Sequence, residues 1–281
     1  MTYRYPFTPF PRGWYRLAYG HAIKRGCARR VRALGCEVTI RRRQTGELSV
    51  TARQINRRGA GAEEAWPARE ENGIVFAYFD AEGGKPLIDV PVMKEFQSDR
   101  WSRVFKFQWD IRVHVQEIAE NALDLPHFSI LHTYAEVPTM TAFDIDGERF
   151  RVAMNSHHNV MGVKNRITMD ITYHGIGVVT AKVWTRPVEI RVILTSTPID
   201  QEHLQVNIAV VHNKTRSRLR NAAVAMTLPY HIRTEFERDI PVWENKVYRA
   251  NPLLCAGDGP IHKVRKWARQ FYSPADAAAV A

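Results

Sequence analysis

The sequence predicts an α+β fold in which an antiparallel sheet packs against a long C-terminal helix and encloses a pocket. Three patterns predict this architecture. They are a helical period at residues 112–125, a series of alternating strands from residue 143 to about residue 211, and a longer helical period at residues 230–248. Strands grouped between helical segments are typical of folds that place their helices on one side of a sheet.

The first part of the chain, residues 1–100, has the composition of short strands and turns, and we predict that it is a separate domain. Residues 38–40, 48–50 and 74–79 are rich in β-branched and aromatic side chains, as strands are. Residues 52–65 contain Gly, Ala, Arg and Glu without a clear period, which predicts a loop.

The rest of the chain, residues 101–281, forms the second predicted domain. Val115, Ile118 and Ala122 follow the spacing of a helix, and Pro126 then interrupts that helix or starts a new turn. An antiparallel meander follows, because the next runs alternate apolar and polar residues between turn signals. These runs are residues 149–152, 167–173, 178–184, 189–194 and 204–211.

The long helix predicted at residues 230–248 has one apolar face. That face consists of Ile232, Phe236, Ile240, Trp243 and Val247.

Composition excludes several classes of protein. The 281 residues contain no apolar run of the roughly 18–20 residues that cross a bilayer. Residues 1–15 lack the pattern of a secretory signal. Three dispersed cysteines do not make a disulfide framework, so we expect a cytoplasmic protein with reduced thiols.

The net charge of +11 is concentrated near the N-terminus, where residues 24–58 hold eleven Lys or Arg against two acids. This segment lacks the interleaved aromatic residues of a nucleic-acid stacking surface, so we do not expect nucleic-acid binding. The charge indicates either a solvated face or a docking surface for an acidic protein.

Two histidines five residues apart, His127 and His132, form the first half of a candidate metal site. On a straight helix they would point about 140° apart. They can share a metal only if the backbone breaks near Pro126. The alternative is a pair of unrelated histidines.

A carboxylate on the long helix could complete this site. Asp239 lies at the edge of the apolar face, whereas Glu235, Glu237 and Glu244 project farther from its centre. A carboxylate there is costly unless it is paired or metal-bound. The alternative is an ion pair with Arg233 or Arg238. Two histidines and one carboxylate are the ligands of non-haem Fe(II) oxygenases.

These residues resemble a known family. Glu120, Asn121, Asp124, His127 and His132 match the motif Glu-Asn-x-x-Asp-x-x-His-x-x-x-x-His of Rieske non-haem iron oxygenases. The C-terminal part is similar to the oxygenase component of 3-ketosteroid 9α-hydroxylase and to cholesterol 7-desaturases, in residues 239–246, 251–254, 258–260 and 264–272. Residues 9–15 and 71–79 resemble the opening and closing pieces of that family's N-terminal domain.

The resemblance implies roles for the motif residues. His127, His132 and Asp239 would bind a mononuclear Fe(II). Asp124 would relay electrons from a cluster in a neighbouring subunit or hold the imidazole of His127, and Asn121 would shape the site. No substrate-binding residues can be assigned.

The resemblance also implies an architecture and an activity. The catalytic domain would be a helix-grip (Bet v 1/START-like) fold, preceded by a truncated Rieske-like β domain, in a trimer-type homo- or hetero-oligomer. The enzyme would be an oxidoreductase of steroid metabolism that hydroxylates, desaturates or demethylates a steroid-like or other polycyclic apolar substrate.

The chain departs from the family in one respect. A Rieske [2Fe–2S] cluster needs two cysteines and two histidines, which the family supplies as Cys-x-His and Cys-x-x-His. Cys27, Cys36 and Cys255 have no histidine at either spacing. The segment between Val50 and Trp66, where both motifs belong, is short. We therefore expect no intrinsic cluster.

Three hypotheses follow for the missing cluster. The chain is an oxygenase that takes electrons from a ferredoxin and reductase or from a cluster-bearing oxygenase subunit. Alternatively, it is a cluster-independent iron enzyme, or a non-catalytic, accessory subunit that binds a hydrophobic ligand. The presence of His127, His132, Asp239 and Asp124 favours the first hypothesis.

Overall fold

Three antiparallel sheets organise the chain in this structure, which is a computed structural model. The structure describes the chain in six segments. They comprise residues 4–55, 62–132, 134–160, 163–185, 188–254 and 258–273.

Seven strands before residue 80 form two small sheets with the orders β1-β7-β6 and β2-β3-β4-β5. The strands are β1 (Gly13–Tyr19), β2 (Ala28–Ala33), β3 (Cys36–Arg42), β4 (Leu48–Gln54), β5 (Glu63–Trp66), β6 (Ala68–Glu71) and β7 (Ile74–Phe79). The three predicted strands are confirmed within β3, β4 and β7.

The loop predicted at residues 52–65 is wrong at both ends. Residues 52–54 complete β4 and residues 63–65 begin β5, because these two strands pair directly, with Val50 opposite Trp66. Residues 56–61 of the predicted loop lie outside the described residues.

The large sheet has seven strands in the order β8-β14-β13-β12-β11-β10-β9. They are β8 (Phe105–Ile111), β9 (Thr139–Asp146), β10 (Arg149–Val160), β11 (Val163–His174), β12 (Val178–Thr185), β13 (Val188–Pro198) and β14 (Leu204–His212). The five predicted runs are confirmed within β10 to β14. The predicted division after residue 100 falls between the small sheets and β8, and it stays a prediction.

Four α-helices accompany the sheets: α1 (Val115–Asn121), α2 (Leu125–Ile130), α3 (Arg218–Asn245) and α4 (Ile261–Ala268). The helix predicted at residues 112–125 is confirmed within α1, but its predicted bounds are wrong. His114 caps α1 by accepting from the Gln116 amide, and a separate helix begins with Pro126 in its first turn, which is one of the two outcomes predicted for this proline.

The long helix is confirmed but its predicted bounds are wrong. It begins earlier, at Arg218, because the Ser217 hydroxyl accepts a hydrogen bond from the Arg220 amide and so caps it. It continues past Pro229 and Pro241 and ends at Asn245. No described helix has the length and apolar character that a membrane crossing needs.

Both faces of the large sheet are covered. On one face Val178, Ile193 and Ala209 pack against Trp14 and Phe76 of the first small sheet. The other face holds α1 and α4.

α3 contacts strands from nearly opposite ends of the strand order of the large sheet. Phe236 lies 4.4 Å from the Trp109 ring of β8, and His231 lies 4.8 Å from the His158 ring of β10, between centroids. Contacts with both strands thereby help to position α3.

Unfolding should become easier in acid because His114 is buried and neutral. Burial lowers its pKa to about 3, although a hydrogen bond to the Thr8 carbonyl opposes this. The unfolded chain, with an ordinary pKa of 6.5, therefore binds a proton that the folded protein does not. We expect the free energy of unfolding to fall by up to about 1.4 kcal/mol per pH unit as pH decreases from 6.5 towards 4.5.

The variant His114→Asn tests this expectation, since an asparagine oxygen can still accept from the Gln116 amide but does not titrate. Urea unfolding at several pH values should show a shallower dependence in this variant, whereas the exposed substitution His262→Asn keeps the wild-type dependence. Equal slopes in all three proteins would contradict the assignment to His114.

Candidate metal centre

Side chains from α2, from the turn after it and from α3 converge on one point. One ligand atom each of His127, His132 and Asp239 lies within 4.8 Å of the others. His127 and Asp239 are each 6 % exposed. The structure therefore brings together the three residues that the sequence analysis named as metal ligands.

The end of α2 allows the two histidines to meet. The helix stops at Ile130, and the Leu131 amide bonds to the His127 carbonyl, 2.7 Å away. Since His132 lies beyond the helix, the 140° separation expected on a straight helix does not apply. The two imidazole centroids are 5.0 Å apart.

His127 is held in the tautomer that suits a metal ligand. Its Nδ1 donates to the main-chain carbonyl of Asp124, so its Nε2 carries the lone pair. Nε2 lies 3.4 Å from Nδ2 of Asn121, which can donate to it. Burial lowers the pKa of His127, which favours the neutral ring. The main-chain carbonyl of Asp124 makes this contact, whereas the sequence analysis assigned it to the carboxylate.

His132 lies between two carboxylates. Its Nε2 is 3.4 Å from Asp239 Oδ1 and its Nδ1 is 3.2 Å from Glu235 Oε2. Burial lowers the pKa of His132, but the carboxylates of Asp239 and Glu235 outweigh burial and raise the pKa to about 9. Both acids therefore attract positive charge to this position.

Glu235 was missed as a site residue because the sequence analysis placed it far from the centre of the apolar face. The spacing contained a signal: Glu235 lies four residues before Asp239, so the two carboxylates share one side of α3.

Asp239 does not make the ion pair offered as an alternative. Arg233 pairs with Glu237 at 2.8 Å, and Arg238 pairs with Glu235 at 2.7 Å. Oδ1 of Asp239 is buried, and its contact with His132 Nε2 at 3.4 Å lacks hydrogen-bond geometry. This contact compensates the buried carboxylate only in part, and a cation beside it would do so more fully.

The donor set fits a non-haem iron site. Two imidazole nitrogens and one carboxylate oxygen are the combination that binds Fe(II) while leaving other positions open. Two observations in this structure agree with a bound divalent cation. The buried Asp239 Oδ1 lacks a well-formed hydrogen bond, and the Nε2 of His127 is unprotonated.

A cavity of about 540 Å³ lies elsewhere. It is lined by residues such as Phe10, Cys36, Phe79 and Tyr272, none of which belongs to the candidate centre.

Buried ion pairs fix α1, which carries Asn121, against the C-terminal segment. Arg265 of α4 donates to both oxygens of Glu120 at 2.9 Å, and Gln116 donates to Glu120 Oε1 at 2.9 Å. Lys246 pairs with Glu117. Glu120 is 3 % exposed, so a charged partner is required there. The C-terminal segment thereby fixes the helix that precedes the two histidines.

The fold and the buried His–His–Asp group define a mixed α/β protein with antiparallel sheets and a candidate metal centre. The sequence model of the 3-ketosteroid 9α-hydroxylase C-terminal domain matches residues 77–272. The chain belongs to this family, and the resemblance to Rieske-type oxygenases is confirmed.

Curated relatives carry related names. The probable 3-ketosteroid-9-alpha-monooxygenase, oxygenase component, of Rhodococcus rhodochrous is 28 % identical over 229 residues, covering 74 % of this chain and 56 % of the relative. Cholesterol 7-desaturase of Caenorhabditis elegans is 26 % identical over 240 residues, covering 74 % and 54 %. The chain thus spans about half the length of these relatives.

Solved structures show the same fold. Dicamba monooxygenase bound to dicamba superposes with a TM-score of 0.70 at 11 % identity, covering 92 % of this chain and 96 % of that chain. NdmA of Pseudomonas putida CBB5 with caffeine gives 0.69 at 13 % identity, covering 95 % and 94 %. At these identities the likeness concerns the fold alone.

Replacing Arg265 with Ala should destabilise the protein strongly, because Glu120 would remain buried without its cationic partner. We expect a loss of about 3–5 kcal/mol in the free energy of unfolding, measured by urea titration. Arg43→Ala, which removes an exposed ion pair with Glu47, serves as the matched control and should change stability little. Similar losses in the two variants would show that the buried pair does not hold α1 in place.

Proposed function

We propose that this chain is a mononuclear non-haem Fe(II) oxygenase whose metal is held by His127, His132 and Asp239. One observation carries the proposal: one ligand atom from each of these three side chains converges with the others within 4.8 Å in a buried position. The family match over residues 77–272 supports it.

Fe(II), when bound, supplies the activation of O₂ that hydroxylation, desaturation and demethylation have in common. The chain's own groups prepare the ligands. The Asp124 carbonyl keeps the proton of His127 on Nδ1, and the Glu235 carboxylate faces Nδ1 of His132. Both imidazoles therefore have a partner on Nδ1 and present Nε2 to the metal.

The contacts of α3 with both β8 and β10 of the antiparallel sheet support a helix-grip catalytic domain. In such a domain the space between helix and sheet is the natural place for substrate, and Asp239 lies on the helix that borders it. The two small sheets before residue 80 agree with a truncated Rieske-like β domain.

A steroid or another polycyclic apolar molecule is the proposed substrate class. The support is the family description and the relatives' names, which mention 3-ketosteroids and cholesterol.

Electrons are proposed to come from a separate partner: a ferredoxin with its reductase, or a cluster-bearing oxygenase subunit. The relatives are named as oxygenase components, which supports a multi-component system. Exposed Arg30, Arg32 and Arg41 on the β2–β3 face offer a surface for an acidic carrier. Asp124 and Asn121 would lie on the route by which electrons reach the metal.

Iron binding is the first test. Protein stripped with a chelator and then titrated with Fe(II) without oxygen should fill the His127–His132–Asp239 site with one equivalent. Asp239→Asn and His127→Ala should each abolish that equivalent, because two ligands bind too weakly. Glu237→Gln, an exposed substitution on the same helix, should retain it. An Asp239→Asn variant that binds as much Fe(II) as wild type would refute the proposed ligands.

Electron supply is the second test. With ferredoxin, reductase and a 3-ketosteroid or cholesterol, the holoenzyme should consume O₂ only when NAD(P)H is present. For hydroxylation, NAD(P)H supplies two electrons, one oxygen atom enters the product and the other leaves as water. Asp124→Asn should slow turnover by at least about tenfold while leaving the bound Fe(II) unchanged.

Each other outcome of that experiment points to another function. Turnover without a cluster protein would favour a cluster-independent iron enzyme. Tight steroid binding without turnover, under every electron source, would favour an accessory subunit that binds a hydrophobic ligand.

A further inference from the structure

A second group of metal-ligand side chains lies beside the first. His158 of β10 and His231 and Glu235 of α3 each offer a ligand atom, and these atoms lie within 4.8 Å of one another. None of the three belongs to the motif that carries the family resemblance. His158 is only 7 % exposed.

The helix places two of the three ligands. His231 and Glu235 are four residues apart, so their side chains lie on the same side of α3 one turn apart. Asp239 follows one turn later. The three residues therefore form a row along α3, with Glu235 between the candidate iron ligand and His231.

The sheet places the third ligand. His158 lies near the end of β10, and its ring centroid is 4.8 Å from that of His231 with the two planes inclined at 70°. One ring nitrogen of each histidine lies within 4.8 Å of the other and of a Glu235 oxygen. Donor atoms around one ion at about 2.0–2.2 Å can be up to about 4.4 Å apart, so small side-chain rotations complete the group.

Glu235 connects the two groups. One carboxylate oxygen lies 3.2 Å from His132 Nδ1, and the other accepts from Arg238 at 2.7 Å. A carboxylate has about four lone-pair positions, so one carboxylate can serve a histidine, an arginine and a cation together.

We propose that His158, His231 and Glu235 form a second cation site, adjacent to the His127–His132–Asp239 group and linked to it through Glu235. Two imidazoles and one carboxylate select a borderline transition metal such as Zn²⁺, Co²⁺ or Fe²⁺. Mg²⁺ and Ca²⁺ are disfavoured, because they require mostly oxygen ligands.

The shared carboxylate couples the two sites. A cation bound to Glu235 reduces the negative charge that faces His132 Nδ1. This changes how strongly Nε2 of His132 donates its lone pair to a metal at the first site. Filling either site should therefore shift the affinity of the other, and by the same factor in both directions.

Metal stoichiometry tests the proposal. The full chain, stripped with a chelator, is titrated with Co²⁺ without oxygen while visible absorption is followed, and bound metal is then measured by elemental analysis. Wild type should bind two equivalents, and His231→Gln and Asp239→Asn should each bind one. The double variant should bind none, whereas His262→Gln, an exposed control, should bind two.

The same data separate failure of this site from failure of the proposed function. A single wild-type equivalent that Asp239→Asn abolishes and His231→Gln leaves unchanged would overturn the second site alone. An equivalent lost in His231→Gln but not in Asp239→Asn would support the second site and contradict the proposed iron ligands. His158→Gln removes a ligand that comes from β10 instead of α3, and this variant should bind one equivalent, as His231→Gln does. A His158→Gln variant that still binds two equivalents would overturn the site.

Discussion

A buried carboxylate whose contact with a histidine lacks hydrogen-bond geometry is the constraint on which the candidate centre depends. Asp239 is 6 % exposed, and its Oδ1 lies 3.4 Å from His132 Nε2 without a well-formed hydrogen bond. Keeping that charge away from water costs several kcal/mol unless positive charge lies close by. Its neighbours are the imidazoles of His127 and His132, and the latter is pulled towards its charged form by two acids. A divalent cation would provide the same compensation more completely, so the electrostatics of the centre agree with a metal site.

Packing and ion pairs position the backbone around this carboxylate. α3 packs through Phe236 on Trp109 of β8 and through His231 on His158 of β10. The first short helix before His132, α1, is fixed by Arg265, which donates to both oxygens of Glu120. The position of the metal ligands therefore depends on contacts that come from residues far apart in the sequence.

Sequence reasoning found the three converging residues because each had a local signal: the spacing of His127 and His132 around a proline, and an acid at the edge of an apolar face. It missed features that arise from tertiary contacts. The start of α3 was missed because its first turns expose their apolar residues, with Leu219 at 83 % and Met226 at 76 %, so no buried stripe marks them. Glu235 was missed because the helical spacing places it off the apolar face. Its role follows only from the tertiary position of His132, which becomes its partner.

The family carries its cluster motifs between Val50 and Trp66. In this chain the sheet β2-β3-β4-β5 is continuous across that segment without those motifs. β4 and β5 pair directly, with Val50 opposite Trp66 and Arg53 opposite Glu63, so the strands need no cluster loops to complete their ladder. At the centre, the main-chain carbonyl of Asp124, and not its carboxylate, holds His127. The orientation of His127 therefore does not require an acid at this position. The Asp124 carboxylate is therefore available for the role proposed for it, which is towards an electron-donating partner.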